Sequence, residues 1–199
     1  MESRALLQAH TSLDKTGRGQ WPTMSAISQA ILADAAVTVG AMGLNERVAL
    51  ADEIFLRQPN LLASVVVQQR MGASLQQIDV LVHVLLVAWQ AMKTSNHVWP
   101  LISEATQERC LQRLTGRIRF TEGLGPELLE RAVRDQIAEH GEPHLLAFAY
   151  GHLREHDLVA VRTDAEQYLL LAALNLVDCI AATAQPRKAA PARRAAKAR

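Results

Sequence analysis

Apolar residues recur every three to four positions through most of this chain, the spacing of one face of an α-helix. Over 23–43 they fall at Ile27, Ile31, Ala35 and Val39, and Gly43 reads as the stop. Asn45 is placed to cap the next helix, "ERVALADEIFLRQ". Pro59 fits the first turn of "NLLASVVVQQRMG", where a missing N–H costs nothing. The Val65–Val67 run has β-propensity, but its flanks are helical and no partner strand is visible, so helix is expected there.

Ser74 and Gln77 have capping-box spacing before the long helix "LQQIDVLVHVLLVAWQAMK". Pro100 marks the start of a helix running to about Phe120, and "EGLGP" at 122–126 breaks the pattern. "ELLERAVRDQIAEH" follows and stops at Gly141, and Pro143 opens a histidine-bearing helix. Thr163 and Glu166 have capping-box spacing before "AEQYLLLAALNLVDCIAATA", which ends before Pro186. These elements predict an all-α fold: one domain of about seven or eight helices over 23–185, orthogonal or bundle-like. Residues 1–22 read as a loose arm and 186–199 as a disordered basic tail. Met24 fits a start as well as Met1 does. No repeat occurs at a period of 20 to 50 residues.

Composition agrees with one packed core: 199 residues, 49% hydrophobic, and a mean hydropathy of +0.02. Only 4% of residues are aromatic, so Leu, Val, Ile and Ala must fill the core, a palette suited to helix-on-helix packing. The opening residues lack a secretory h-region. The most apolar stretch, 78–92, holds Asp79, His83 and Gln90 and is shorter than a bilayer span. Cys110 and Cys179 stand alone on separate helices, as reduced thiols do in a cytoplasm, and that compartment without membrane contact is the expectation.

The net charge of +1 conceals a division, because the last fourteen residues hold six Lys/Arg and no acid. Without them, 15 basic residues face 20 acidic ones, so the body is acidic and the tail basic. Arg187, Lys188, Arg193, Arg194, Lys197 and Arg199 therefore suit sequence-independent contact with a polyanion by counterion release. Arg109, Arg113 and Arg117 form a row spaced by four, able to bind phosphate or to lie as a solvated face. No segment makes a helix-turn-helix: the helix after Pro59 offers base edges little beyond Gln68, Gln69 and Arg70.

Catalytic signals are sparse. His152, Glu155 and His156 fit H-x-x-E-H, the spacing with which one class of zinc peptidases holds zinc through two histidines and uses the glutamate as base. This composition yields on the order of 0.015 such matches per chain by chance. Zinc also needs a third ligand, and no downstream carboxylate among Asp157, Asp164, Glu166 and Asp178 is singled out. Helical phase places His152 and His156 on the apolar side of their helix with Glu155 at its edge, where packing is the simpler role.

Two polar stripes, Gln76–Asp79–His83–Gln90–Lys93 and Asp164–Gln167–Asn175–Asp178–Gln185, read as the solvated faces of otherwise buried helices. No Glu-x-x-His pair supports a di-iron bundle, and nucleophile-elbow, phosphate-loop and dinucleotide motifs do not occur. The balance favours a non-enzymatic interaction or regulatory protein with weak nucleic-acid contact and no cofactor. A zinc hydrolase or metal sensor centred on His152 and His156 is one alternative. A homo-oligomer paired through the apolar helices at 74–93 and 164–184 is the other.

Overall fold

The structure, a computed structural model, describes residues 25–121 and 125–186, with the side chains of 119–121 and 126 outside that description. Eight α-helices run α1(Gln29–Ala41), α2(Leu44–Arg57), α3(Pro59–Val66), α4(Leu75–Thr94), α5(Glu104–Thr121), α6(Pro126–Glu139), α7(Pro143–Glu155) and α8(Asp164–Thr183). They form one compact all-α domain, as the periodicity predicts. The expected N-terminal arm and basic tail fall outside the described residues, apart from Pro186.

The local signals explain most boundaries. Ser74 Oγ accepts from Gln77 N at 3.2 Å while Gln77 Oε1 accepts from Ser74 N at 2.8 Å, completing the capping box that starts α4. The second box is half made: Thr163 Oγ1 accepts from Glu166 N at 3.2 Å, but the Glu166 carboxylate turns to Arg162 N at 2.8 Å. Helix α2 begins earlier than Asn45 allows. Gly43 is its N-cap, and Gly43 N donates to Glu46 Oε2 at 2.8 Å. The three valines are helical through Val66 and pass into a 3₁₀ turn over Val67–Gln69.

Pro100 does not open α5, which starts four residues later, where Ser103 Oγ accepts from Thr106 N at 3.3 Å. The intervening segment is latched to the α2–α3 corner by the buried amide of Gln58. Its Nε2 donates to Pro100 O at 2.9 Å and its Oε1 accepts from Ile102 N at 2.9 Å. A two-residue antiparallel ladder, β1(His97–Val98) with β2(Gln185–Pro186), ties this segment to the end of α8.

The core is built around α4 and α8. Val84 to Met92 of α4 are buried apart from Gln90, and so is every residue from Ala173 to Ile180 of α8. Helix α1 lays Leu32, Ala35 and Val39 on α4, and α5 packs along α8. Helix α7 inserts Leu145, Leu146, Ala149 and Leu153 against both central helices. Each fully buried leucine here contributes about 1.5–3 kcal/mol relative to an exposed one. Helices α4 and α8 are each long and apolar enough to cross a bilayer by length and composition, so the expectation of too short a span does not hold for the whole helix. In this fold both pack inside the bundle.

Candidate functional site

Helix α5 carries the arginine row. Cys110 and Leu114 turn inward onto α8, which leaves Arg109, Arg113 and Arg117 along the border between helix and solvent. The row is not a plain solvated face. Arg109 is held by its own helix, with Nε donating to Ala105 O and Nη2 to Thr106 Oγ1, both at 3.2 Å. Arg113 Nη2 donates to Cys110 Sγ at 3.1 Å. Arg117 Nη2 forms a short ion pair with Asp178 on α8.

Two cavities open between α5 and α8. The first, about 600 Å³, is bounded by Arg113, Gly116 and Arg117, by His140 and Gly141 after α6, and by Asp178 and Ala181 on α8. The second, about 690 Å³, is lined by Arg109, Arg113, Thr106, Gln112, Thr183 and Gln185 among others, and by no acidic residue. Arg113 faces both.

Asp178 and Asn175, expected on a solvated stripe, are buried. The helical pattern of α8 gives no warning, because the partners of Asp178 come from elsewhere in the chain. His140 Nε2 meets Asp178 Oδ1 at 2.9 Å, and His140 Nδ1 accepts from Glu142 N at 3.0 Å. With Nδ1 an acceptor, the ring proton sits on Nε2 and is donated to Asp178. Both ring nitrogens are thus committed, and His140 has none left to act as a general base.

The Glu142 carboxylate, on a 2% exposed residue, closes the network. It accepts from Ser25 Oγ at 2.6 Å, Ala26 N at 2.7 Å and Ile27 N at 3.0 Å. This chain of contacts joins the segment before α1, the α6–α7 turn, α8 and α5. The Tyr150 phenol lies near its Arg117–Asp178 end, and burial there pushes its pKa above the usual tyrosine value.

The H-x-x-E-H residues lie elsewhere. His152 is on the last turn of α7, and His156 follows the helix at its C-cap. The inward placement expected of both holds only in part: the His152 side chain is 16% exposed, whereas His156 is an exposed residue. The helix ends before His156, so extrapolated helical phase does not apply to it. Glu155 Oε2 stands 3.8 Å from His152 Nδ1, on a side chain 75% exposed.

A third histidine joins them. His83 of α4, expected in a solvated stripe, is half-buried with its ring centroid 4.6 Å from that of His152, which is 4.7 Å from that of His156. Burial, and then the Arg47 cation on α2, hold the His83 pKa below the ordinary histidine value. Burial followed by neighbouring His83 and His156 lowers that of His152. Among the described residues no group of three or more His, Cys, Asp or Glu side chains is arranged to hold a metal ion. The ring packing here is aromatic: His152 also stacks on Phe148 at 5.9 Å.

The two cysteines are not isolated as the sequence suggests. Cys110 and Cys179 are both buried, and each thiol is a neighbour of the other across the α5–α8 contact. Burial and that neighbour push the Cys179 thiol far above its ordinary value, which makes it unreactive as a nucleophile.

The helices expected to pair in a homo-oligomer, α4 and α8, bury most of their apolar side chains within the chain, with Leu75 and Tyr168 left exposed. Further exposed apolar side chains lie on α2, at Leu44, Val48, Phe55 and Leu56. Fold and site together define a single-domain all-α bundle with an arginine-lined border. Compared with known protein families, curated proteins and solved structures, the chain matches none.

Proposed function

We propose that this protein is a non-enzymatic helical binding module of regulatory type, which contacts nucleic-acid phosphates without reading sequence. Arg109 and Arg113 supply contacts from the bundle, and Arg187, Lys188, Arg193, Arg194, Lys197 and Arg199 supply further positive charge along the strand. The observation that carries this reading is where the chain leaves the bundle. Gln185 lines the acid-free cleft of Arg109 and Arg113, and the six tail charges begin two residues beyond it. The basic run therefore follows in sequence directly after a residue of that cleft, which supports joint use of cleft and tail charges on an otherwise acidic body.

The chemistry suits phosphate. Neither Arg109 nor Arg113 has a carboxylate partner among the described residues, so each keeps guanidinium donors for an anion. Non-enzymatic binding also fits the state of two groups beside the α5–α8 seam: His140 has both nitrogens engaged and Cys179 is held as a thiol.

Fluorescence anisotropy of a labelled mixed-sequence duplex of about 20 base pairs, at about 50 and 200 mM salt, tests the proposal. Each charge that meets a phosphate steepens the log–log salt slope by about 0.9. The full chain is expected to bind with a slope of several units. Removal of 187–199 should flatten most of it, and Arg109→Gln with Arg113→Gln should remove one to two units more. Binding that is absent, or that ignores both changes, refutes the reading.

A further inference from the structure

The first α5–α8 cavity differs in chemistry from the second. Part of its wall is made by residues with no side chain or a single methyl: Gly116 on α5, Gly141 in the α6–α7 turn, and Ala181 and Ala182 on α8. A Cβ built on Gly116 meets no atom within 4 Å, so that glycine leaves open space beside α5. The floor is the buried Asp178, already engaged by Arg117 and His140. Arg113 faces the same space and has no carboxylate partner among the described residues. Glu139 completes a lining of two arginines and two acids.

From this arrangement we infer that the cavity holds a small organic monoanion, a carboxylate on a compact apolar body of roughly ten non-hydrogen atoms. A space of about 600 Å³ lies in the range of small-molecule sites, which combine apolar walls with a few convergent polar groups. The carboxylate meets Arg113 and the donors that Arg117 does not give to Asp178, in the forked geometry guanidinium groups offer. The apolar body lies along Gly116, Ala181 and Ala182. A phosphate dianion is the poorer occupant, because Asp178 and Glu139 line the same space and repel two negative charges more than one. The neighbouring cleft, with arginines and no acid, has the opposite preference. The inference does not depend on nucleic-acid binding, since it concerns a different cavity.

The test uses the full chain with no nucleic acid, and benzoate, hexanoate and neutral benzamide as probes, read by isothermal calorimetry and by saturation-transfer NMR. Benzoate or hexanoate is expected to bind with a Kd between about 10 µM and 1 mM, the span reachable by a ligand of this size. Benzamide should bind at least about tenfold more weakly, the factor expected for loss of one charged contact. Gly116→Leu fills the open space from a helix-interior position where leucine favours the helix more than glycine does, so the variant should melt no lower than the parent. It should bind the probes at least about tenfold more weakly. Arg113→Gln, which alters only a side chain at the helix border, should also weaken benzoate by about tenfold. No saturable binding, equal affinity for benzoate and benzamide, or undiminished binding in Arg113→Gln overturns the inference. So does undiminished binding in a folded Gly116→Leu.

Discussion

Removing the Glu142 carboxylate tests the polar network more directly than any other single change. In Glu142→Ala, the amides of Ala26 and Ile27 lose acceptors at 2.7 and 3.0 Å, on residues only 7% and 0% exposed. Ser25 suffers less, because its hydroxyl has one proton and a second acceptor, Ile27 O, at 2.8 Å. A hydrogen bond to a charged group is worth about 1.5–3 kcal/mol, so two orphaned amides set a gross loss of about 3–6 kcal/mol. Release of a buried carboxylate from its desolvation penalty offsets part of that. The net destabilisation expected is about 2–4 kcal/mol. Glu142→Gln keeps one acceptor but turns an NH₂ toward a backbone N–H, so about half that loss is expected.

Urea unfolding followed by helical circular dichroism measures the global term. Hydrogen exchange at Ala26 and Ile27 separates global loss from local release of the segment before α1. Those two amides should exchange about thirtyfold to several hundredfold faster in the alanine variant, at 1.4 kcal/mol per factor of ten. A loss below about 1 kcal/mol with both amides still protected would show that the carboxylate does not hold this segment.

Three further outcomes follow from the structure. His83 and His152 have native pKa values below the ordinary 6.5, so the folded state resists their protonation. Their contribution is complete above about pH 6.5 and is lost as the pH falls through that value toward the native ones. Urea midpoints of the parent should drop from pH 7.5 to 5.5, and His83→Asn with His152→Asn should make that drop smaller. An unchanged drop assigns the effect to other groups. The charged neighbours of the cluster are Arg47 on α2, Asp79 on α4, and Glu155 and His156 at the end of α7. Gly72 has φ +94°, in the region side chains avoid, although a Cβ there meets only Ala165 Cβ at 3.6 Å. Gly72→Ala should cost about 1–2 kcal/mol by denaturant titration, and a neutral result would mean that the turn relaxes freely. Because Arg113 faces both cavities, saturating benzoate should weaken duplex binding as much as Arg113→Gln does, and an unaltered affinity would separate the two sites.

The helices were legible because their signals are local. Ser74 with Gln77, Pro59 and Pro143 each act within a few residues of themselves, and the structure places them where their chemistry requires. Asn45 and Pro100 failed for a related reason: Gly43 with Glu46, and Ser103, supply competing starts that the same local rules permit. The polar stripe of α8 misled because amphipathic phase identifies a polar face without identifying what covers it. Asp178 is covered by Arg117 and His140, 61 and 38 residues away. Glu142 carried no motif at all, since its partners are mainly backbone amides and amides have no side-chain signature. His83 was visible as a polar residue in an apolar helix, but only packing of α7 on α4 brings it to His152.

The neighbouring Cys110 and Cys179 also give this protein an internal clock. Cys110 lines the second cavity, whereas Cys179, at 0% exposure, borders neither cavity and meets no solution reagent while α5 lies on α8. Alkylation of Cys179 by a small electrophile, followed in a Cys110→Ser variant, then proceeds only through openings that part those two helices. Labelling rates measured against reagent concentration therefore report how often the α5–α8 seam opens and, at the plateau, how fast. Since both cavities lie along that seam, a compound lodged in either one should slow the clock.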